Sequence, residues 1–274
     1  MLWITGAKGL LGRALQAQCK AVLHVTSGSE VDVGSLQQIE EFMQKNPGIT
    51  HIINCAAFSQ VDAAEMQREK AFQTNAIGPE NLAKVAKLIH ISTDYVFDGS
   101  LKRPLTEKDP VGPVNYYGKS KLEGEQRALA AGATVVRTSW IFGSGGKNFV
   151  STLLKMLQTQ EEIRLVDDQW GKFTYAPDLA SCLLQNLSRQ GLYSFANDGV
   201  TTKYEFGVAM REIAKELGFH VVTQSIVPVP ASTFPLPATR PTYSALDTTK
   251  YDKPIRHWKE ALRDFLCQEM PAYL

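Results

Sequence analysis

The sequence predicts an α/β protein, a Rossmann-type doubly wound parallel sheet with a smaller C-terminal substrate lobe. Three observations predict it. Short apolar runs alternate with amphipathic stretches, a glycine-rich turn closes the first run, and the rhythm changes after about residue 145. Alternation of this kind reads as βαβ units, whose parallel sheet is covered by helices on both faces.

The predicted strands are Leu2–Thr5, Val22–Thr26, His51–Ala57, Leu88–Ser92 and Thr134–Arg137. Between them, Glu69–Lys84 and Tyr116–Leu129 carry helical periodicity. The second half offers helices at Asn148–Gln158, Asp178–Leu187, Tyr204–Leu217 and Trp258–Gln268. Pro228–Pro241 holds five prolines and is expected to be extended and irregular. The first unit is taken as residues 1–145 with a returning segment at about 173–200. The smaller lobe takes about 146–172 and 201–274, over the C-terminal edge of the sheet, where ligands of open parallel sheets bind.

Bulk properties exclude several function classes. The 274 residues are 44% apolar and 21% charged, with a net charge of +1. No strong field points to nucleic acid or to an anionic membrane. Four scattered cysteines form no CxxC, which suits a reducing compartment rather than a disulfide scaffold or zinc site. The chain enters a strand and glycine turn at once, and no apolar run reaches 18 residues. A secretory signal and a membrane span are therefore not expected, and the cytoplasm is.

Gly6-Ala7-Lys8-Gly9-Leu10-Leu11-Gly12 lies between the first strand and a helix. The first glycine permits a tight turn, the second lets backbone approach a pyrophosphate, and the third lets helix pack on strand. The helix start then offers free N–H groups to the anion. The spacing is GxxGxxG rather than GxGxxG, and a purely structural turn is the alternative. No acidic residue ends the second strand, where Thr26-Ser27-Gly28-Ser29 stands. That leaves room for a 2′-phosphate on Ser27 or Ser29 and leans towards NADPH over NADH. Asp32 and Val33 are placed at the adenine edge, with an N-cap role for Asp32 before Leu36–Gln44 as the alternative.

Tyr117 and Lys121 lie four apart in YGKSK and share one helix face. An ammonium beside a phenol lowers its pKa, so that Tyr117 can hand a proton to a developing alkoxide. Ser92 and Thr93 end an apolar strand, bringing hydroxyls to the sheet edge where a substrate carbonyl would sit. Hydroxyl, phenol and lysine together make a ketone-reduction set. Cys55, Ala56 and Ala57 are small enough to admit a nicotinamide, or are simply close-packed. Asn75 could bridge main chain to the lysine through water, or bond locally.

GAKGLLG, NCAAFSQVDAAE, NAIGPENLA, ISTDYVFDG, YYGKSKLEGE, RTSWIFG, VDDQWG and RPTYSALDT occur in order. Through almost the whole chain the sequence resembles the dTDP-4-dehydrorhamnose reductases, a family of extended short-chain dehydrogenase/reductases. The resemblance implies NAD(P)H-dependent reduction of the C4 ketone of a dTDP-4-keto-6-deoxy sugar, giving dTDP-L-rhamnose for polysaccharide. It makes Thr93, Tyr117 and Lys121 the catalytic set. It places Trp140 beside the sugar with Asp94, and Asp62, Ala64, Asn148 and Arg240 along the nucleotide-sugar cleft. A homodimer is compatible with it. Three departures stand out. The helix after Asn75 reaches the strand at Leu88 several residues early. Phe173 replaces a usual proline. Arg13-Ala14 follow Gly12 where some members offer an acidic ligand for Mg2+, so no metal is expected there. A nucleotide-sugar epimerase or dehydratase, and a non-catalytic regulatory subunit, are the competing readings.

Overall fold

A computed structural model describes residues 1–21, 23–251 and 254–269. A six-stranded parallel sheet is built from β1 (Leu2–Thr5), β2 (Leu23–Thr26), β3 (His51–Asn54), β4 (Lys87–Thr93), β5 (Thr134–Thr138) and a returning strand at Gly191–Ser194. The first residue predicted for β2, Val22, lies outside the described residues. The order is β2, β1, β3, β4, β5 and then the returning strand. The order turns back between β1 and β3, and a ligand crevice is expected where strand order reverses.

Helices cover both faces. On one, α1 (Leu10–Gln18) packs with a later helix at Ala176–Gln185, through Leu11 and Leu15 against Leu179, Ala180 and Leu183. On the other lie α2 (Leu36–Lys45) and the helices that follow β3. Those are α3 (Val61–Met66), α4 (Arg68–Phe72), α5 (Gly78–Ala83) and, after β4, α6 (Tyr116–Ala130).

The predicted helix Glu69–Lys84 is thus not continuous. A π-helical turn at Gln73–Ile77 separates α4 from α5. Pro79 has no N–H to give the Asn75 carbonyl four residues back, which breaks the α-helical ladder there. Gly124 of α6 packs against that carbonyl, where a Cβ would not fit. The early arrival at Leu88 is accommodated by three residues, Lys84 to Ala86, folded on the end of α5. Lys84 and Val85 donate to the Asn81 and Leu82 carbonyls, and β4 then pairs with β3 from Lys87 onward.

The second half has its own core. It contains a short strand β6 (Ile141–Phe142), α7 (Phe149–Thr159), β7 (Glu162–Val166) and β8 (Thr174–Tyr175). Then follow α8 (Ala176–Gln185) and β9 (Gly191–Ser194), the elements already placed on the main sheet, and α9 (Lys203–Glu216), β10 (Ser225–Val229) and α10 (Trp258–Asp264). Phe142, Leu153, Phe173, Phe206, Trp258 and Phe265 fill this core. The proline-rich stretch is only partly irregular: Ser225–Val229 pairs with β7 in a two-stranded sheet, whose open edge tolerates Pro228. Among the described residues no helix is long and apolar enough to cross a membrane.

Candidate active site

A cleft of about 1460 Å³ opens at the C-terminal edge of the main sheet. It is lined by Gly6, Lys8, Gly9, Leu10, Leu11 and Gly12, by Asp32 and Val33, and by Cys55, Ala56 and Ala57. At Gly6 φ is +64°, and a Cβ would stand 2.5 Å from the Cys55 carbonyl carbon. At Gly12 it would stand 2.5 Å from the Gly6 oxygen. These two glycines close the turn on itself. At Gly9 a Cβ would meet only the Gly6 oxygen, at 3.3 Å, so the space over Gly9 is open. No side chain caps α1, which leaves its first N–H groups for a ligand. This cradle fits the pyrophosphate of a dinucleotide.

The end of β2 differs from expectation. Glu30 folds back, and its carboxylate accepts from both the N–H and the hydroxyl of Ser27 at 2.7 Å. Those bonds hold its pKa below the usual carboxylate range. A negative charge therefore stands beside Ser27, whose hydroxyl also meets that of Ser29 at 2.9 Å. The two hydroxyls bond within the turn, and a carboxylate stands where the sequence offered none. Asp32 accepts from Gly34 N–H at 2.9 Å, and Ser35, not Asp32, caps α2.

Ser92, Thr93, Asp94, Tyr117, Lys121 and Trp140 share the cleft with the glycine turn. Asn115 caps α6 through the Gly118 N–H at 2.8 Å. Gly118 lies so close to the Tyr95 carbonyl that no Cβ fits, which draws Tyr117 up to the end of β4. There the Thr93 hydroxyl and the Tyr117 phenol face the same cleft. Burial is the larger influence on that phenol and pushes its pKa up to about 12. Lys121 does not counter this: burial brings its own pKa down to about 7, and its Nζ donates to the Ile91 carbonyl at 2.5 Å. The expected lowering of Tyr117 by a neighbouring ammonium is not observed: desolvation dominates, and the Asp94 charge adds to it.

Thr93 also donates to Asp94 Oδ1 at 3.1 Å, and Asp94 Oδ2 accepts from Ser244 at 2.6 Å. Burial raises Asp94 to about 7. Trp140 has φ +42°, alone among the described non-glycine residues in the left-handed region, a strain that clusters at ligand sites. Phe173 supports its ring edge-on at 5.0 Å. Phe173 is itself 1% exposed and stacks on Phe206 at 3.8 Å, so the residue in the proline's place serves as core.

Five expected site residues stand beside the cleft rather than on its wall. Asn75 bonds Phe58 N–H and C=O and the Ser120 hydroxyl, tying the loop after β3 to α6, and does not reach Lys121. Asn148 caps α7 and bonds the Gly143 and Gly146 carbonyls. Ala64 is fully buried. Asp62 and Arg240 pair with each other, behind Tyr95.

Residues 1–270 match the family model described as the RmlD substrate binding domain. The chain belongs to the dTDP-4-dehydrorhamnose reductase family. By that membership it is an NAD(P)H-dependent oxidoreductase. Curated members of the reductase family include the protein of Mycolicibacterium smegmatis, 39% identical over 95% of this chain and 83% of that one. The spore coat polysaccharide biosynthesis protein SpsK of Bacillus subtilis is 36% identical over 98% of each chain. Among solved reductases, that of Clostridium acetobutylicum superimposes with a TM-score of 0.90 at 36% identity, covering 97% of this chain and 98% of its own. That of Bacillus anthracis, solved in complex with NADP, gives 0.91 at 32% identity with the same coverage.

Two further residues stand beside Trp140 and Asp94. Lys203 Nζ stands 5.7 Å from the Trp140 ring centroid, and burial, then Arg240, lowers its pKa while Asp94 opposes. It occupies the first position of α9, behind a capping box of Thr202 and Glu205. That box was readable as TKYE, and a cation at a helix start, against the dipole, was the available signal. Ser244, the partner of Asp94, carried none beyond its place in RPTYSALDT.

Proposed function

We propose that this chain reduces the C4 ketone of dTDP-4-dehydro-6-deoxy-L-mannose to dTDP-L-rhamnose, with Tyr117 as proton donor. NAD(P)H would supply hydride to C4 and leave oxidised, held by the glycine turn, Asp32, Val33 and the small residues Cys55 to Ala57. The carbonyl oxygen gains the electron pair and takes the phenolic proton. Thr93, beside Tyr117 on the cleft wall, would turn its one O–H from Asp94 to the same oxygen and fix its direction. A phenol that burial keeps protonated to about 12 is ready as an acid at neutral pH. Residues 1–145 with about 173–200 are assigned to the cofactor, and about 146–172 with 201–274 to the nucleotide sugar. The core of that lobe begins at Phe142 and takes in Phe173 and Tyr175, so it crosses these bounds by a few residues.

The observation that carries the reading is the shared cleft: Thr93, Tyr117 and Lys121 open onto the space over Gly9. The test is oxidation of NADPH, and in parallel NADH, by dTDP-4-dehydro-6-deoxy-L-mannose. Stoichiometric cofactor oxidation with formation of dTDP-L-rhamnose is expected. An epimerase or dehydratase would show no net oxidation, and a regulatory subunit would bind NADPH without turnover. Either result overturns the proposal.

A further inference from the structure

Behind Lys121 runs a line of buried polar groups for which hydride transfer has no direct need. Thr5, Asn54 and His90 are neighbours across β1, β3 and β4 in the sheet register. Thr5 Oγ1 donates to Asn54 Oδ1 at 2.6 Å. Asn54 Nδ2 meets His90 Nδ1 at 3.1 Å, and His90 Nε2 meets Lys121 Nζ at 3.3 Å. Asn54 and His90 are 0% exposed and Lys121 is 2%, so water cannot rearrange these bonds.

Donor and acceptor roles follow from one fixed point. The Ala56 backbone N–H, which can only donate, meets the same Asn54 atom as Thr5, at 3.1 Å. That atom is therefore the amide oxygen, and the atom facing His90 is the NH2 group. Its partner Nδ1 must accept, so the neutral imidazole carries its proton on Nε2. A doubly protonated ring would set N–H against N–H, and burial holds His90 well below its ordinary pKa. The Nε2–H thus points at the Lys121 nitrogen. An ammonium has only N–H to offer in return, whereas an amine has a lone pair, and one of its own N–H bonds is already given to Ile91 O.

We propose that His90 is a positioning residue for Lys121: Asn54 fixes the imidazole tautomer, and His90 then donates Nε2–H to Lys121, which rests in the ligand-free protein as an uncharged amine. The charged and titratable groups around the lysine agree. From α6, Glu125 favours the ammonium, but it is already paired with Arg137 of β5 and accepts from Ser92. Cys55, after β3, is a thiol pushed up to about 12 by burial and brings no charge. Tyr117, on the same helix, stays a neutral phenol. Among the described residues no free counter-charge offsets the desolvation of an ammonium, and Lys121 falls to about 7. The inference deepens the reductase reading, but the resting state is observable without turnover.

The test is NMR of the full-length, ligand-free protein with 15N-labelled histidine and lysine. Among five histidines, the His90 signal is identified by its loss in His90→Leu. The expected result is a pyrrole-type Nε2 and a pyridine-type Nδ1, with Lys121 titrating more than two units below an ordinary lysine. Asn54→Asp replaces the NH2 with an acceptor oxygen. It should move the proton to Nδ1, let Nε2 accept from an ammonium, and raise the ammonium-to-amine ratio of Lys121 at least tenfold at a given pH. A wild-type His90 protonated on Nδ1, or Lys121 titrating near 10, overturns the proposal even if no variant folds. An unchanged lysine titration in a folded Asn54→Asp protein does so as well. The stated tautomer in a protein without turnover would leave this inference standing and remove only the reductase reading.

Discussion

Arg240 grips the Asp62 carboxylate with both arms of its guanidinium, each N–O distance 2.6 Å, across 178 residues of sequence. The Ala238 N–H joins the same carboxylate at 3.1 Å, so the pair pins the proline-rich segment to α3. Asp62 is 37% exposed, so the pair itself contributes modestly to stability, about 1 kcal/mol or less. If Arg240 also holds the substrate diphosphate, Arg240→Met loses a charge-assisted contact of about 1.5–3 kcal/mol. The expected result is a KM raised roughly 10- to 100-fold with kcat changed much less, while Asp62→Asn changes KM less than fivefold. Equal losses in both variants would reduce the pair to a clamp.

Tyr117→Phe removes one hydroxyl from a partly buried ring that lines the cleft. The apolar packing, including the edge contact with Tyr95 at 5.9 Å, survives. Activity should fall about 10²–10⁴-fold, the usual worth of a positioned acid. NADPH affinity, read by fluorescence titration, should stay within twofold. A variant with near-normal turnover would remove Tyr117 from the chemistry.

The strands and the glycine turn were legible because their signals are local. A short continuous apolar run and a GxxGxxG turn need no partner to be recognised. Tyr117 and Lys121 were legible as an i, i+4 pair, but not the direction in which each titrates. That direction depends on how much water the fold removes, which no spacing encodes. The break at Gln73–Ile77 was missed although Pro79 was visible, because the run keeps helical periodicity across it. Glu30 was missed for a different reason. It lies four residues past β2, and only the turn that bends it back onto Ser27 puts its charge where a strand-end acid would stand.

That charge leads to a cofactor prediction. A 2′-phosphate near Ser27 would meet the Glu30 carboxylate, whose bonds to Ser27 keep it ionised. One unit charge at close range in water shifts a binding equilibrium by about fivefold. Glu30→Gln should therefore raise the ratio of kcat/KM for NADPH over NADH about fivefold, and more at low salt. An unchanged ratio would mean that the adenosine ribose lies elsewhere.

Two groups give the fold an opposed dependence on pH. Asp94 is raised to about 7, against about 3.9 in an unfolded chain. Between these values the native state binds the extra proton, so this group's contribution is present at acid pH and is lost as pH rises through 7. Lys121 is lowered to about 7 from about 10.4. In that window the unfolded state binds the extra proton, so stability rises with pH above 7. Together they set a trough near pH 7 in the contribution of these two residues. Urea midpoints taken from pH 5 to 9 on wild type, Asp94→Asn and Lys121→Met should show it. The first variant flattens the acid side relative to wild type, and the second flattens the alkaline side. Parallel curves for all three would contradict both assignments.

Gly9 and Gly12 separate binding from folding within one turn. Gly9 has φ −75° and ψ 168°, a conformation any residue adopts, and a side chain there would enter the open cleft. Gly12 faces the Gly6 oxygen and the Ala7 Cα, at 2.5 and 2.8 Å from an added Cβ, with only backbone to give way. Gly9→Val should therefore keep its melting temperature and lose NADPH affinity, because the branched side chain fills the space where backbone would approach a pyrophosphate. Gly12→Ala should lower stability by about 1–3 kcal/mol, the usual cost of overpacking, whether or not cofactor is present. Thermal melts with and without NADPH read both effects. Cofactor should raise the melting temperature of wild type and leave that of Gly9→Val unmoved. If NADPH stabilises Gly9→Val as much as wild type, the glycine turn is a structural hinge and the pyrophosphate binds elsewhere.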